Sequence, residues 1–137
     1  MELSVTHNQG IVPVAILHVE GRVDGSNYEL VIAKAQELYK SGVRNLLLDL
    51  GKLTFLSSAG ISALHRVAKL FHGATSAELE EGWAAFRAMD RDRDAGFQEH
   101  VKLLNPPDSV RQTLELVGFN RFFEIFSDLD EAVASFR

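Results

Sequence analysis

The run Asn45-Leu46-Leu47-Leu48-Asp49-Leu50 constrains this chain more than any other stretch of it. Successive residues of a strand point to opposite faces, so a strand with one face in water alternates apolar and polar side chains. Three leucines in a row break that alternation, and the segment reads as a strand that is covered on both sides or central in its sheet. The residues that follow agree with this. Gly51 to Leu56 gives a further short strand, Ser57-Ser58-Ala59-Gly60 marks a turn, and Ile61, Leu64, Ala68 and Phe71 then recur at helical spacing.

Elements of both kinds flank this unit. Val12 to Val19 is a short apolar stretch rich in β-branched residues, with Pro13 near its start, where proline harms a ladder least. Glu2 to His7 fits an edge strand beside it. Ser26 and Glu29 have capping-box spacing and predict a first helix of about 15 residues, with Tyr28, Val31, Ala35 and Leu38 facing inward and Gly42 at its end. Later, Val101 to Leu104 is a strand, and Pro107 opens a helix carrying Val110, Leu114 and Val117 that Gly118 ends. Phe122 to Phe126 is the last strand, and Ser127 caps a terminal helix through Leu129, Ala132, Val133 and Phe136.

This order predicts an α/β domain with a mixed sheet whose parallel members are joined by crossover helices. At 137 residues the chain has the length of one domain, and 46% hydrophobic with 24% charged residues is ordinary globular composition. Residues 74–99 are too long for a default connection and read as an insertion before the penultimate strand. Inside it, Leu79, Trp83 and Phe86 share one face of a helix predicted from Ser76 to Met89. That face either packs on its own domain or docks a partner or a second copy of the chain. Asp90 to Gly96 is a solvated return.

Charge and missing residue types exclude several functions. The chain carries 14 Lys and Arg against 19 Asp and Glu, a net charge of −5, and residues 74–99 hold seven acids against three arginines, a net −4. No basic stripe remains to neutralise phosphates, so no nucleic-acid partner is expected. The absence of cysteine removes disulfides, thiolate nucleophiles and cysteine-ligated metals, and suits a reducing cytoplasm. Apolar runs such as Val14 to Leu17 fall far short of the roughly 18 residues of a membrane span. Met1-Glu2-Leu3-Ser4 lacks a signal-peptide start, so a cytoplasmic protein with no membrane insertion is expected.

The motifs for chemistry are incomplete. Asp90, Asp92 and Asp94 begin like a calcium loop, but Ala95 and Val101 stand where the loop needs glycine and glutamate. Gly51-Lys52 lacks the upstream glycine of a phosphate loop. His7, His18, His65, His72 and His100 form no local chelate and read as ordinary surface or partly buried histidines. Ser58 has Leu56 where a nucleophile elbow needs glycine. No catalytic residue, metal or cofactor is expected, and the reading is non-enzymatic.

Ser57-Ser58-Ala59-Gly60 remains, and one serine capping a helix accounts for only one of its two hydroxyls. Phe55-Leu56-Ser57-Ser58-Ala59-Gly60-Ile61, preceded by Leu46 to Leu50, resembles the signature of STAS domains, the bacterial anti-sigma factor antagonists. Val19-Glu20-Gly21-Arg22-Val23-Asp24 is similar to the family's second strand and turn, and Leu114 to Phe123 resembles its helix end and following strand. Ser57 stands where the family often has aspartate, and Ala59 where it often has a second serine. The resemblance implies a STAS-like single domain over 1–137 with a mixed sheet. It further implies a regulatory module that binds an anti-sigma factor acting as a serine kinase. Ser58 is the implied phosphorylation site, and Asp24, Ser57, Ser58, Ala59 and Gly60 form the implied partner surface. An accessory subunit of a lipid-transport ATPase is the alternative within the same fold, and a nucleotide-binding or hydrolytic enzyme the alternative outside the binding class.

Overall fold

A computed structural model describes residues 1–72 and 98–137. The predicted helix from Ser76 to Met89, its Leu79, Trp83 and Phe86 face, and the run Asp90 to Gly96 lie outside the described residues. Within them the chain forms β1 (Glu2–Gln9), β2 (Pro13–Val23), α1 (Tyr28–Lys40), β3 (Leu46–Asp49), β4 (Leu53–Leu56) and α2 (Ser58–Phe71). It continues with β5 (Val101–Leu104), α3 (Asp108–Leu116), β6 (Ile125–Phe126) and α4 (Leu129–Ser135). The sheet is mixed, as expected, in the order β1-β2-β3-β5-β6, with β4 paired to β2 off that path. Among the described strands only β1 runs antiparallel to its neighbour; the β2–β3, β2–β4, β3–β5 and β5–β6 pairs are parallel.

The run at Leu46 to Leu48 is covered on both sides. Leu46 and Leu48 join a core with Ala15, Leu17 and Val19 of β2, Val31 and Ala35 of α1, and Leu64 and Val67 of α2. Leu47 points the other way, into a smaller cluster with Val14, Ile16, Leu104 and the α4 residues Ala132, Val133 and Phe136. The period of two along β2 and β3 thus sorts residues into a large core under α1, α2 and α3 and a small one under α4. Lys102 reaches the small side from β5. The residue is only 4% exposed, and its Nζ donates to Ser135 O at 3.1 Å and Ser135 Oγ at 2.9 Å and sits 3.3 Å from Glu124 Oε1.

Several boundaries differ from expectation for identifiable reasons. β2 extends to Val23, beyond Val19, because β1 pairs with it out to Glu20 and β4 pairs with its end. The capping box at Ser26 and Glu29 does not form: Asn27 is the N-cap, and both Ser26 donors turn back to Asp24 Oδ1. α1 accordingly has 13 residues; Gly42, at φ +109°, ends it as expected. Pro107 occupies the cap position of α3 rather than its first turn. The strand expected over Phe122 to Phe126 shrinks to Ile125–Phe126, because Phe119, Phe122 and Phe123 lie in irregular backbone and cluster in the large core, Phe123 packing edge-on against both of the others. Asp128, not Ser127, caps α4, its carboxylate accepting from the Glu131 amide at 2.9 Å. His65 is buried, its ring 5.6 Å from that of Phe122.

Leu47→Ala is expected to cost about 2–5 kcal/mol, since Leu47 is fully buried between sheet and α4 and the space it leaves cannot collapse easily. Leu116→Ala, at an 87% exposed site, should stay within about 0.5 kcal/mol of the parent. Urea denaturation of both variants measures the contrast.

Candidate functional site

β2 serves two neighbours. Ala15 to His18 pair with β3, and Gly21 to Val23 pair with β4 across a register shift between Gly21 and Arg22, with Val23 opposite Leu56. The ladder continues one step past the strands, where the Ser57 amide donates to Val23 O at 3.0 Å. That bond brings the Asp24 turn beside the first turn of α2. The structure therefore gathers Asp24, Ser57, Ser58, Ala59 and Gly60, which are spread across two strand ends in the sequence.

Ser57 builds the helix start. It is extended, with φ −81° and ψ 175°, and its Oγ accepts from the Gly60 amide at 3.2 Å while its carbonyl accepts from Ile61 at 2.9 Å. This is the side-chain cap that aspartate also provides, so serine at this position keeps the helix entry intact. Ser58 is the first residue of α2 and is exposed; Ser57 and Ala59 are half-buried. The two serines thus divide the work, one holding the backbone and one facing water.

Gly60 is buried where α2 approaches the end of β2. A Cβ there would lie 3.1 Å from Val23 Cγ1 and 3.2 Å from Val23 O, and 2.5 Å from Leu56 Cδ1. The leucine tip can move, but the Val23 backbone cannot without opening the Ser57–Val23 hydrogen bond. Glycine is what lets the helix sit this close.

Asp24 organises the facing turn. Its Oδ1 accepts from the Ser26 hydroxyl at 2.6 Å and the Ser26 amide at 2.9 Å, its own amide donates to Asn27 Oδ1 at 3.0 Å, and Asn27 Nδ2 donates to Arg22 O at 2.9 Å. The Ser26 hydroxyl and then its amide hold the Asp24 carboxyl below its usual value, because both bond the charged form. An exposed apolar group flanks the site, Phe55, two residues before the cap, with the Arg22 guanidinium 4.4 Å from its ring centroid; Leu30 in the first turn of α1 is exposed as well. Phe55 falls within the family signature, but the sequence alone assigned no contact role to it or to Leu30.

A second polar group of side chains, unforeseen from sequence, lies on the opposite sheet face, where His18 bridges Thr6 and Asp49. Among the described residues no group of three or more His, Cys, Asp or Glu is placed to hold a metal, and no helix is long and apolar enough to cross a membrane.

Removing the Ser57 hydroxyl by Ser57→Ala is expected to lower stability by about 1 kcal/mol, and Ser57→Asp to keep it, as read by urea denaturation. Gly60→Ala should cost about 1–3 kcal/mol by overpacking against Val23. Ser26→Ala should raise the Asp24 pKa toward the ordinary value of about 3.9, observed by carboxyl NMR titration. The sign for stability follows: a lowered folded-state pKa stabilises above the unfolded value and loses that contribution as pH falls through the folded one. Asp24 therefore strengthens the turn at neutral pH and releases it only in acid.

Residues 2–77, more than half of the chain and the whole of this site, match the model of the STAS domain. Over 137 residues the chain is 26% identical to a protein of Bordetella bronchiseptica that carries the name anti-sigma factor antagonist BtrV, covering all of this chain and 96% of that one. The crystal structure of an anti-sigma factor antagonist from Mycobacterium paratuberculosis has the same fold, with TM-score 0.66 at 14% identity over 98% of this chain and 93% of that chain. The Bacillus cell fate determinant SpoIIAA in its phosphorylated form matches with TM-score 0.54 at 16% identity, over 96% of each chain. With this fold, and with its signature residues gathered at the start of α2, the chain belongs to the STAS domain family, in the company of anti-sigma factor antagonists.

Proposed function

We propose that this chain is a regulatory binding module that holds an anti-sigma factor acting also as a serine kinase, and that phosphorylation of Ser58 releases it. The observation that carries the reading is the division of labour at α2: Ser57 is committed to the cap, and Ser58, exposed beside it, is the hydroxyl a kinase can reach. The partner surface comprises Asp24, Ser57, Ser58, Ala59 and Gly60, with exposed Phe55 and Leu30 as apolar contacts at its edge. Residues 1–137 act as one domain carrying an insertion, in a cytoplasmic setting, without enzymatic activity in this role.

The physics of the switch is local. A phosphoryl group brings about −1.5 to −2 charges, and at the first position of a helix the amide dipoles favour that charge, so the fold tolerates it. The same group carries bulk and charge into the surface a partner must cover, so the complex loses affinity while the module stays folded. The description of SpoIIAA in both unphosphorylated and phosphorylated forms supports a switch of this type in a protein of the same fold.

Mass spectrometry after incubation with the anti-sigma kinase and ATP should find a single phosphate, on Ser58. Ser58→Ala should stay folded, within about 0.5 kcal/mol of the parent, and remain bound in the presence of ATP. Ser58→Asp should bind more weakly. Modification confined to Ser57 or to another residue overturns the assignment.

A further inference from the structure

On the sheet face that α4 leaves open, Ser4 stands opposite His18 across β1 and β2, and His18 opposite Asp49 across β2 and β3. Thr6 lies one pleat further along β1 on the same face. These residues share the parity of Val14, Ile16 and Leu47, but α4 covers only that apolar end of the face. At the polar end, His18 Nδ1 is 2.7 Å from Asp49 Oδ2 and His18 Nε2 is 2.9 Å from Thr6 Oγ1. A carboxylate only accepts, so Nδ1 carries the proton; in the neutral imidazole Nε2 is then the bare acceptor, and the Thr6 hydroxyl donates to it. Asp49 is fixed in turn, its Oδ1 accepting from the Gly51 amide at 3.0 Å. The His18 and Asp49 side chains are only 29% and 27% exposed, while Thr6 is open to water.

Hydroxyl, imidazole and carboxylate linked in this order form the arrangement that activates an oxygen nucleophile: the carboxylate fixes the ring tautomer and the ring takes the hydroxyl proton. The three residues line an open depression of about 370 Å³, shared with Ser4, Val19, Glu20 and Lys52. At its rim Lys52 Nζ lies 3.3 Å from Glu20 Oε1, so the pair adds little net charge and the depression suits a small, uncharged group. The site shares no residue with the Asp24 and Ser57 to Gly60 surface and does not rest on the function proposed for it.

We propose that Thr6 is an acyl-acceptor site, taking a small acyl group from an activated ester, either a thioester or an aryl ester. Thr6 Oγ1 attacks the carbonyl carbon as its proton passes to His18 Nε2, and a new C–O bond forms. The bond from that carbon to the leaving sulfur or oxygen then breaks with its electron pair. The imidazolium, stabilised by Asp49, returns the proton to the leaving group. The products are an O-acyl threonine and a free thiol or phenol, and the balance needs no other reactant. General-base assistance of this kind is worth about 10²–10⁴-fold over an unassisted hydroxyl.

The experiment exposes the full chain to p-nitrophenyl acetate or to an acetyl thioester at neutral pH, follows leaving-group release, and maps the acetylated peptide. The expected result is a burst of one equivalent, with the acetyl group on Thr6, at a rate at least about 10²-fold above that of the same chain in denaturing urea. Thr6→Val and His18→Gln should abolish the burst, and Asp49→Asn should slow it by up to about 10⁴-fold. Thr6→Ser keeps a hydroxyl on the same strand and should retain the burst with its label at position 6, which keeps the test decisive should His18→Gln fail to fold. Acetylation confined to lysines or the terminal amine, or a parental burst in Thr6→Val or His18→Gln, overturns the proposal.

Discussion

The hydrogen bond from the Ser57 amide to Val23 O is where the sheet and the candidate site become one object. β2 pairs with β3 from Ala15 to His18 and with β4 from Gly21 to Val23, the second ladder carrying a register shift between Gly21 and Arg22. Because β4 ends where β2 ends, the turn after one strand and the helix after the other are forced side by side. Gly60 lets the contact close to van der Waals limits, and the Ser57 cap fixes the direction in which α2 leaves. The Ser57–Val23 bond, the close approach at Gly60 and the Ser57 cap together set where Ser58 stands relative to Asp24.

Much of this was legible in the chain itself, for reasons that differ by element. The leucines at 46–48 specified a doubly covered strand because no exposed face tolerates three of them, and the structure places them in two separate cores. The helical spacing of Ile61, Leu64, Ala68 and Phe71 marked α2, and all four are buried. Local capping chemistry was less legible, since Ser26, Asn27 and Asp24 offer competing partners within four residues and only the packed turn decides among them. At the other end of the chain, Phe122 and Phe123 looked like strand residues on apolar character alone, yet burial in an aromatic cluster satisfied them without a ladder. For the site, Ser58 and Asp24 were proposed through a family resemblance; what the structure adds is that Ser57 caps α2 while Ser58 faces water.

The Thr6, His18 and Asp49 group was not legible, because its members meet through strand register rather than sequence proximity. A signal nevertheless exists. His18 interrupts the apolar run Val14 to Val19, and Asp49 interrupts the leucines of β3. Polar residues set into otherwise apolar central strands require a partner, and these two are each other's. The face that carries them shows that a sheet can present polar chemistry within a few pleats of a dry core.

That dry core under α4 is small and separately closed. Seven helical residues, the Phe136 ring and the Lys102 contacts to Ser135 hold it, while the large core is sealed by three helices. Cohesion this uneven makes the C-terminal segment the part expected to open at a lower free energy than the large core. Such an opening would bare Val14, Ile16, Leu47 and Leu104, an apolar strip on three neighbouring strands. In a crowded cell that strip is adhesive to other chains. The contacts of Ala132, Val133 and Phe136 are thus what keeps this strip out of water, and losing them would expose it while the large core stays packed.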